Sequence, residues 1–206
     1  MLNIKKATKK KANINLIGFL LISIGLFIII FRFCYSCLSL KLEEESIDAY
    51  IKKYENVDSY INKNNNKKNQ QFFVKDYIAI LEIPKINLKK GLIMATKDFK
   101  SINYAVSIDR NSKFPNESGN FILYAHAGNS KISYFKDINK LVIGDTVNVY
   151  YLNDNYRYIV SNKYEIKKTG YLSLNEDCSN NCLILITCVH NTNKQLVIKC
   201  TLEKIY

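Results

Sequence analysis

A chain of 206 residues with 48% apolar and 23% charged side chains is long enough for one domain with its own core, and too apolar to be a disordered polyelectrolyte. The formal charge of +12 is uneven: no acidic residue precedes Glu43, and from residue 41 onward the net charge falls to +6. Lysine outnumbers arginine 27 to 3, and there is no zinc-ligand spacing, arginine stripe or nucleic-acid motif, so no nucleic-acid partner is expected.

Residues 1–12 form a basic tail containing Lys5, Lys6, Lys9, Lys10 and Lys11. NINLIGFLLISIGLFIIIF, residues 13–31, carries no charge. As a helix, residues 14–31 span roughly 27 Å, close to the thickness of a bilayer core. The segment 13–40 is therefore expected to be a transmembrane signal anchor. The flanking lysines place the N-terminus in the cytoplasm and the remainder outside the cell membrane. A cleaved signal peptide is the competing reading; the length of the run and the lack of an A-x-A-like site favour the anchor.

Residues 41–71 are expected to hold a juxtamembrane helix and a polar linker. Leu42, Ile47, Tyr50, Ile51 and Tyr54 make an approximate apolar stripe. NKNNNKKNQQ, residues 62–71, has no apolar member.

From Phe72 to Tyr206 short runs rich in Val, Ile, Tyr and Thr alternate with turn residues: 77–84, 86–94, 120–127, 144–152, 156–166, 182–189 and 195–205. Seven such runs predict a mainly β domain, closed or sandwiched. Residues 130–142 are the expected short helix or turn between strands. Pro84 and Pro115 fall at strand and loop edges, where they break no central ladder.

The chain has six cysteines and two histidines. Cys34 and Cys37 lie by the anchor. Cys178 and Cys182 enclose three residues and either pair or do not; outside the membrane a disulfide is permitted. Cys200 alternates with Leu196, Ile198 and Leu202, so burial explains it. Cys188 closes the run LILITC, and His126 closes NFILYAH. A thiol at a strand tip is either filling or a nucleophile, and the spacing of 62 residues to His126 does not decide between them.

The wording around these residues resembles the sortase family. YIAILEIPKINL (77–88) is similar to its early strand, and NYAV (103–106) to the segment that follows. GNFILYAHAGN (119–129) resembles the stretch that carries the catalytic histidine, FKDINKLVIGDTVNVYY (135–151) the word after it, and LILITC (183–188) the word that carries the nucleophile. The five words occur in the family's order across residues 77–205.

The resemblance implies a closed eight-stranded sortase-type β-barrel over residues 72–206, preceded by the N-terminal helix, on a Gram-positive cell surface. It implies a cysteine transpeptidase that cleaves a C-terminal LPxTG-like sorting signal of a secreted protein. A cell-wall precursor amine or a pilin amine would accept the acyl group. Cys188 would be the nucleophile and His126 the proton donor and acceptor. The arginine that the family carries near the start of the last strand is missing. Its place falls at Gln195, or at Lys194 with a shift of one residue, and Arg157 is a further candidate from another strand. Ala125 stands where the family usually has Gly, which is tolerated unless the backbone there needs a positive φ.

Thr187 is expected to support the nucleophile. Tyr124 shares the strand alternation of His126. Leu172 and Leu174, in the loop before the nucleophile strand, are expected to line the signal-binding groove, and His190 either borders that groove or is a solvated loop residue. No cofactor is expected; calcium dependence occurs in the family, but no acidic cluster here has calcium-loop spacing. The subclass reads as class D-like or class B-like. Two other functions fit the same residues: a degenerate sortase-like binding module, and a sortase-like cysteine hydrolase.

Overall fold

The computed structural model describes residues 2–55, 76–98, 100–169 and 181–206. The chain divides into two compact units, Met1–Glu44 and Glu45–Tyr206.

The first unit is one continuous helix, part of α1 (Leu2–Glu55). Arg32 does not interrupt it. Large apolar side chains such as Phe19, Ile22, Phe27 and Phe33 are exposed on all sides of it. A helix apolar all round belongs in a bilayer or a large core. It is the one helix among the described residues that is long and apolar enough to cross a membrane.

The second unit is a closed barrel of eight strands: β1 (Ala79–Ile83), β2 (Leu88–Met94), β3 (Val106–Ile108), β4 (Asn120–Tyr124), β5 (Thr146–Tyr151), β6 (Asp154–Lys167), β7 (Cys182–Cys188) and β8 (Lys194–Ile205). They are ordered β1-β2-β3-β4-β7-β8-β6-β5, with β5 returning to β1. The pairs β2–β3 and β4–β7 are parallel, and the rest are antiparallel. Closure leaves no free sheet edge. The seven predicted runs all form strands. The eighth strand, β3, has only three residues and too little sequence to show a period of two. Residues 130–142 contain turns and a single 3₁₀ turn, Ile138–Lys140.

Alternation along each strand separates an inside from an outside. Inward residues such as Leu81, Leu92, Phe121, Leu123, Leu183, Leu185, Ile198 and Cys200 build the main core with Phe135, Ile138 and Leu141 from the β4–β5 connection. The outside carries two smaller apolar patches. One lies on β1, β2 and β5 and takes Ile47, Tyr50, Ile51 and Tyr54 from the end of α1. The predicted stripe at 47–54 thus packs on the barrel. The Tyr50 hydroxyl donates to Ile78 O at 2.9 Å and accepts from Leu152 N at 3.1 Å. Beneath this patch Gly91 faces the Tyr77 ring, where a Cβ would sit 2.3 Å from three ring carbons.

The other patch lies on β4, β7, β8 and β6. Its floor is Cys182, Ile184, Ile186 and Val197, flanked by Ile122, Tyr124, Tyr164 and Ile166.

Candidate active site

The second patch leads to the two residues singled out by the sequence. In the parallel pair β4–β7, Asn120 faces Cys182 and Tyr124 faces Ile186. The ladder continues past β4, because Ala125 N donates to Ile186 O. Two residues further on, His126 comes level with Cys188 on strands about 4.8 Å apart. Ala125 belongs to the inner core, so His126 lies on the outer face with Ile122 and Tyr124. Thr187 is also inward, so Cys188 follows Ile184 and Ile186 onto that same face. Extending the β4–β7 register by two residues thus brings the backbones of His126 and Cys188 to neighbouring positions.

Each is held from below. The buried Thr187 hydroxyl donates to Ala125 O at 2.8 Å, tying the end of β7 to the end of β4 one residue before each reactive side chain. Thr187 lies beneath the site rather than on its surface. His126 O accepts from Phe135 N, which fixes the backbone on its other side. Ala125 is not among the positive-φ residues, so alanine is compatible there.

Cys188 is exposed and free. The contrast with Cys200 is informative: that thiol is free but buried, and desolvation pushes its pKa well up, which keeps it protonated and inert. Cys34 and Cys37, also free, belong to α1. Cys182 is disulfide-bonded, and its partner lies outside the described residues. Burial, with help from the charge of Asp109, pushes the Tyr124 phenol up to about 12, so it stays a neutral hydroxyl beside the site.

Gln195 is the direct cross-strand partner of Cys188. It alternates with Val197 and therefore points to the same outer face, half-buried. Directly opposed residues in an antiparallel pair have Cβ atoms about 5 Å apart. Lys194 has the opposite parity, and its ammonium meets Glu165 Oε2 at 2.9 Å. Arg157 is excluded from the site by position. It pairs with Asn148 and Lys204, nine residues along β6 from the Ile166 that faces Gln195, which is about 30 Å of extended strand. There it binds Glu203 and Tyr206.

His190 is exposed in the turn after β7, next to Asn191 with φ of 56°. Leu172 and Leu174 lie outside the described residues. One neighbour was missed by sequence reasoning: Asn103, at the end of the 3₁₀ turn Lys100–Asn103, places Oδ1 3.0 Å from His126 Nε2. Its only sequence signal was membership of the word NYAV. A cavity of about 300 Å³ lies between the β1–β2 turn and the β4–β5 connection, lined by Leu88, Lys90, Ser130, Lys131 and Lys136 among others; neither Cys188 nor His126 lines it. Among the described residues no group of three or more His, Cys, Asp or Glu side chains gathers as a metal site.

Comparison with known proteins agrees with this fold. The family model described as the Sortase domain matches residues 81–203, more than half of the chain. Solved structures with the same fold include Streptococcus pneumoniae sortase C-3 (17% identity, TM-score 0.56, 64% of each chain covered). A Clostridium perfringens sortase D5 transpeptidase matches at 23% identity and TM-score 0.55, covering 63% of this chain and 80% of that one. Listeria monocytogenes sortase A matches at 22% identity and TM-score 0.56, covering 64% and 90%. This chain thus spans just under two thirds of the length of the S. pneumoniae protein. No curated protein matches it.

Proposed function

Because this chain belongs to the sortase family, we propose that it is a membrane-anchored cysteine transpeptidase that cleaves an LPxTG-like sorting signal and passes the protein to an amine. The observation that carries the reading is the free, exposed Cys188 at the tip of β7, in a β4–β7 register whose extension by two residues sets His126 level with it. The apolar helix of residues 13–40 would hold the enzyme in the membrane with the barrel outside. The basic tail supports that orientation.

In the first half-reaction the Cys188 thiolate attacks the scissile carbonyl carbon, and the C–S bond forms. His126, in its charged form, gives a proton to the departing amine as the C–N bond breaks. In the second, an incoming amine attacks the thioacyl carbon. His126 takes the proton back, and the thiolate leaves as the C–S bond breaks. The acceptor is a cell-wall precursor amine or a pilin lysine. Ile184, Ile186 and Val197 form a buried apolar cluster on the same face of β7 and β8 as Cys188, which makes the backbone that carries the thiol rigid.

Charge develops on the carbonyl oxygen during both steps. The family meets it with an arginine. Here Gln195 takes that place, as an uncharged amide donor opposite Cys188. Lys194, being paired with Glu165, is the weaker candidate.

The test uses the full chain in detergent with a panel of sorting-signal peptides and an amine. Mass spectrometry is expected to find a thioacyl adduct on Cys188 that passes to the amine. The adduct is absent in Cys188→Ala and fails to turn over in His126→Ala. A folded enzyme that forms no adduct with any peptide would overturn the assignment.

A further inference from the structure

We propose that Asn103 is a positioning residue for His126, completing a Cys188–His126–Asn103 arrangement in which Nδ1 of the ring is the nitrogen that moves protons. The proposal rests on the transpeptidase reading above and adds a third participant to it.

His126 Nε2 lies 3.0 Å from Asn103 Oδ1. An amide oxygen has lone pairs and no proton, so the hydrogen in that bond belongs to Nε2. The neutral ring is thereby fixed as the Nε2–H tautomer, with its lone pair on Nδ1. The two nitrogens now have different duties. Nε2 keeps its proton throughout. Nδ1 holds the second proton in the charged ring, releases it to the departing amine, and recovers it from the incoming one. A ring free to rotate would present either nitrogen, and half of its orientations would be unproductive.

A positioning residue must itself be held, and the turn carrying Asn103 is anchored on several sides. Ser101 and Ser107 share a buried hydroxyl–hydroxyl bond of 2.8 Å, which fixes the turn to β3. Ser101 N donates to Thr96 Oγ1, and Thr96 N donates to Ser101 Oγ. Ser101 O accepts from both Tyr104 N and Ala105 N. Tyr104 O accepts the Tyr134 hydroxyl from the β4–β5 connection, the same connection whose Phe135 N binds His126 O. The backbones on either side of the Asn103–His126 bond are thus linked to each other. The resulting logic is that of thiol proteases in which an asparagine orients the histidine.

The chain has two histidines, so both rings can be resolved by nitrogen-15 NMR of the full chain in detergent. The expected result is a His126 ring with protonated Nε2 and unprotonated Nδ1 in its neutral form. In Asn103→Ala the ring becomes a mixture of tautomers, kcat for acyl transfer falls about tenfold to a hundredfold, and KM for the peptide holds. Asn103→Asp keeps the acceptor, so the tautomer is retained; its charge favours the charged ring and moves the pH–rate profile to higher pH. Asn103 is exposed, so neither change threatens the fold.

A protonated Nδ1 in the parent chain, or a tautomer unchanged by Asn103→Ala, overturns the proposal. So does a kcat unaffected by that substitution. Should the parent chain turn over no peptide, the transpeptidase reading fails, while the ring's tautomer still decides the role of Asn103.

Discussion

The barrel carries two apolar patches on the outer face of its strands, both buried, and they differ in what lies at their ends. The patch on β1, β2 and β5 is closed by the chain's own residues 47–54. Burial drives the pKa values of its Tyr50 and Tyr150 phenols far up, so both stay neutral hydroxyls. The patch on β4, β7, β8 and β6 has a more aliphatic floor of Ile184, Ile186 and Val197, and beyond it lie an exposed thiol, an imidazole and an amide. The difference is where the strands stop. On the first patch the apolar alternation runs beneath a helix. On the second, β4 stops at Tyr124, level with Ile186, while β7 runs on to Cys188, and two residues past each member of that last pair comes a reactive side chain, His126 or Cys188. The same period-two pattern makes a docking surface in one place and a reaction site in the other.

The largest effect is expected from altering the polar end of the second patch alone. Gln195→Glu puts a carboxylate opposite Cys188, where it repels both the thiolate and the developing oxyanion. The rate of thioacyl formation is expected to fall about a hundredfold or more, with the unfolding midpoint unchanged. Gln195→Arg is expected to equal or exceed the parent. A Glu variant with parental kinetics would remove Gln195 from the reaction.

The next effect belongs to the closed patch. In Gly91→Ala the added Cβ meets the buried Tyr77 ring at 2.3 Å. Overpacking of this kind costs about 1–3 kcal/mol. Denaturant unfolding of the full chain should show that loss, while kcat per folded molecule stays put. A change in kcat without a change in stability would mean that the two patches are coupled through the barrel.

Both outcomes bear on what the sequence made legible. Strand runs were readable because inward and outward residues alternate over five residues or more, and β3 was not, because three residues cannot establish a period. The reactive pair was readable because Cys188 and His126 each end an apolar run. Gln195 was reached by counting along the last strand, and its register against Cys188 explains why the count works. The count could not separate it from Lys194, since a slip of one residue in a strand changes the face; the pairing of Lys194 with Glu165 on the opposite face does. Arg157 looked available only because sequence does not show which end of a long strand a residue occupies. Asn103 escaped notice because its partner is 23 positions away, joined through a turn whose shape depends on buried serines rather than on any apolar pattern.

The smallest expected effect tests what joins the two reactive strands. Thr187→Val is nearly isosteric but deletes the hydroxyl that donates to Ala125 O inside the protein. A buried acceptor losing its donor costs about 1–3 kcal/mol, so a modest drop in stability is expected. The more telling readout is kinetic. Ala125 immediately precedes His126, and Thr187 immediately precedes Cys188, so loosening this bond lets the two side chains drift apart. A few-fold fall in kcat with little change in KM should therefore accompany the stability loss, and Thr187→Ser, which keeps the hydroxyl, should restore most of it. If Val and Ser variants lose stability alike and keep parental kcat, the bond serves the core only, and the alignment of the reactive pair is set by the strand ladder alone.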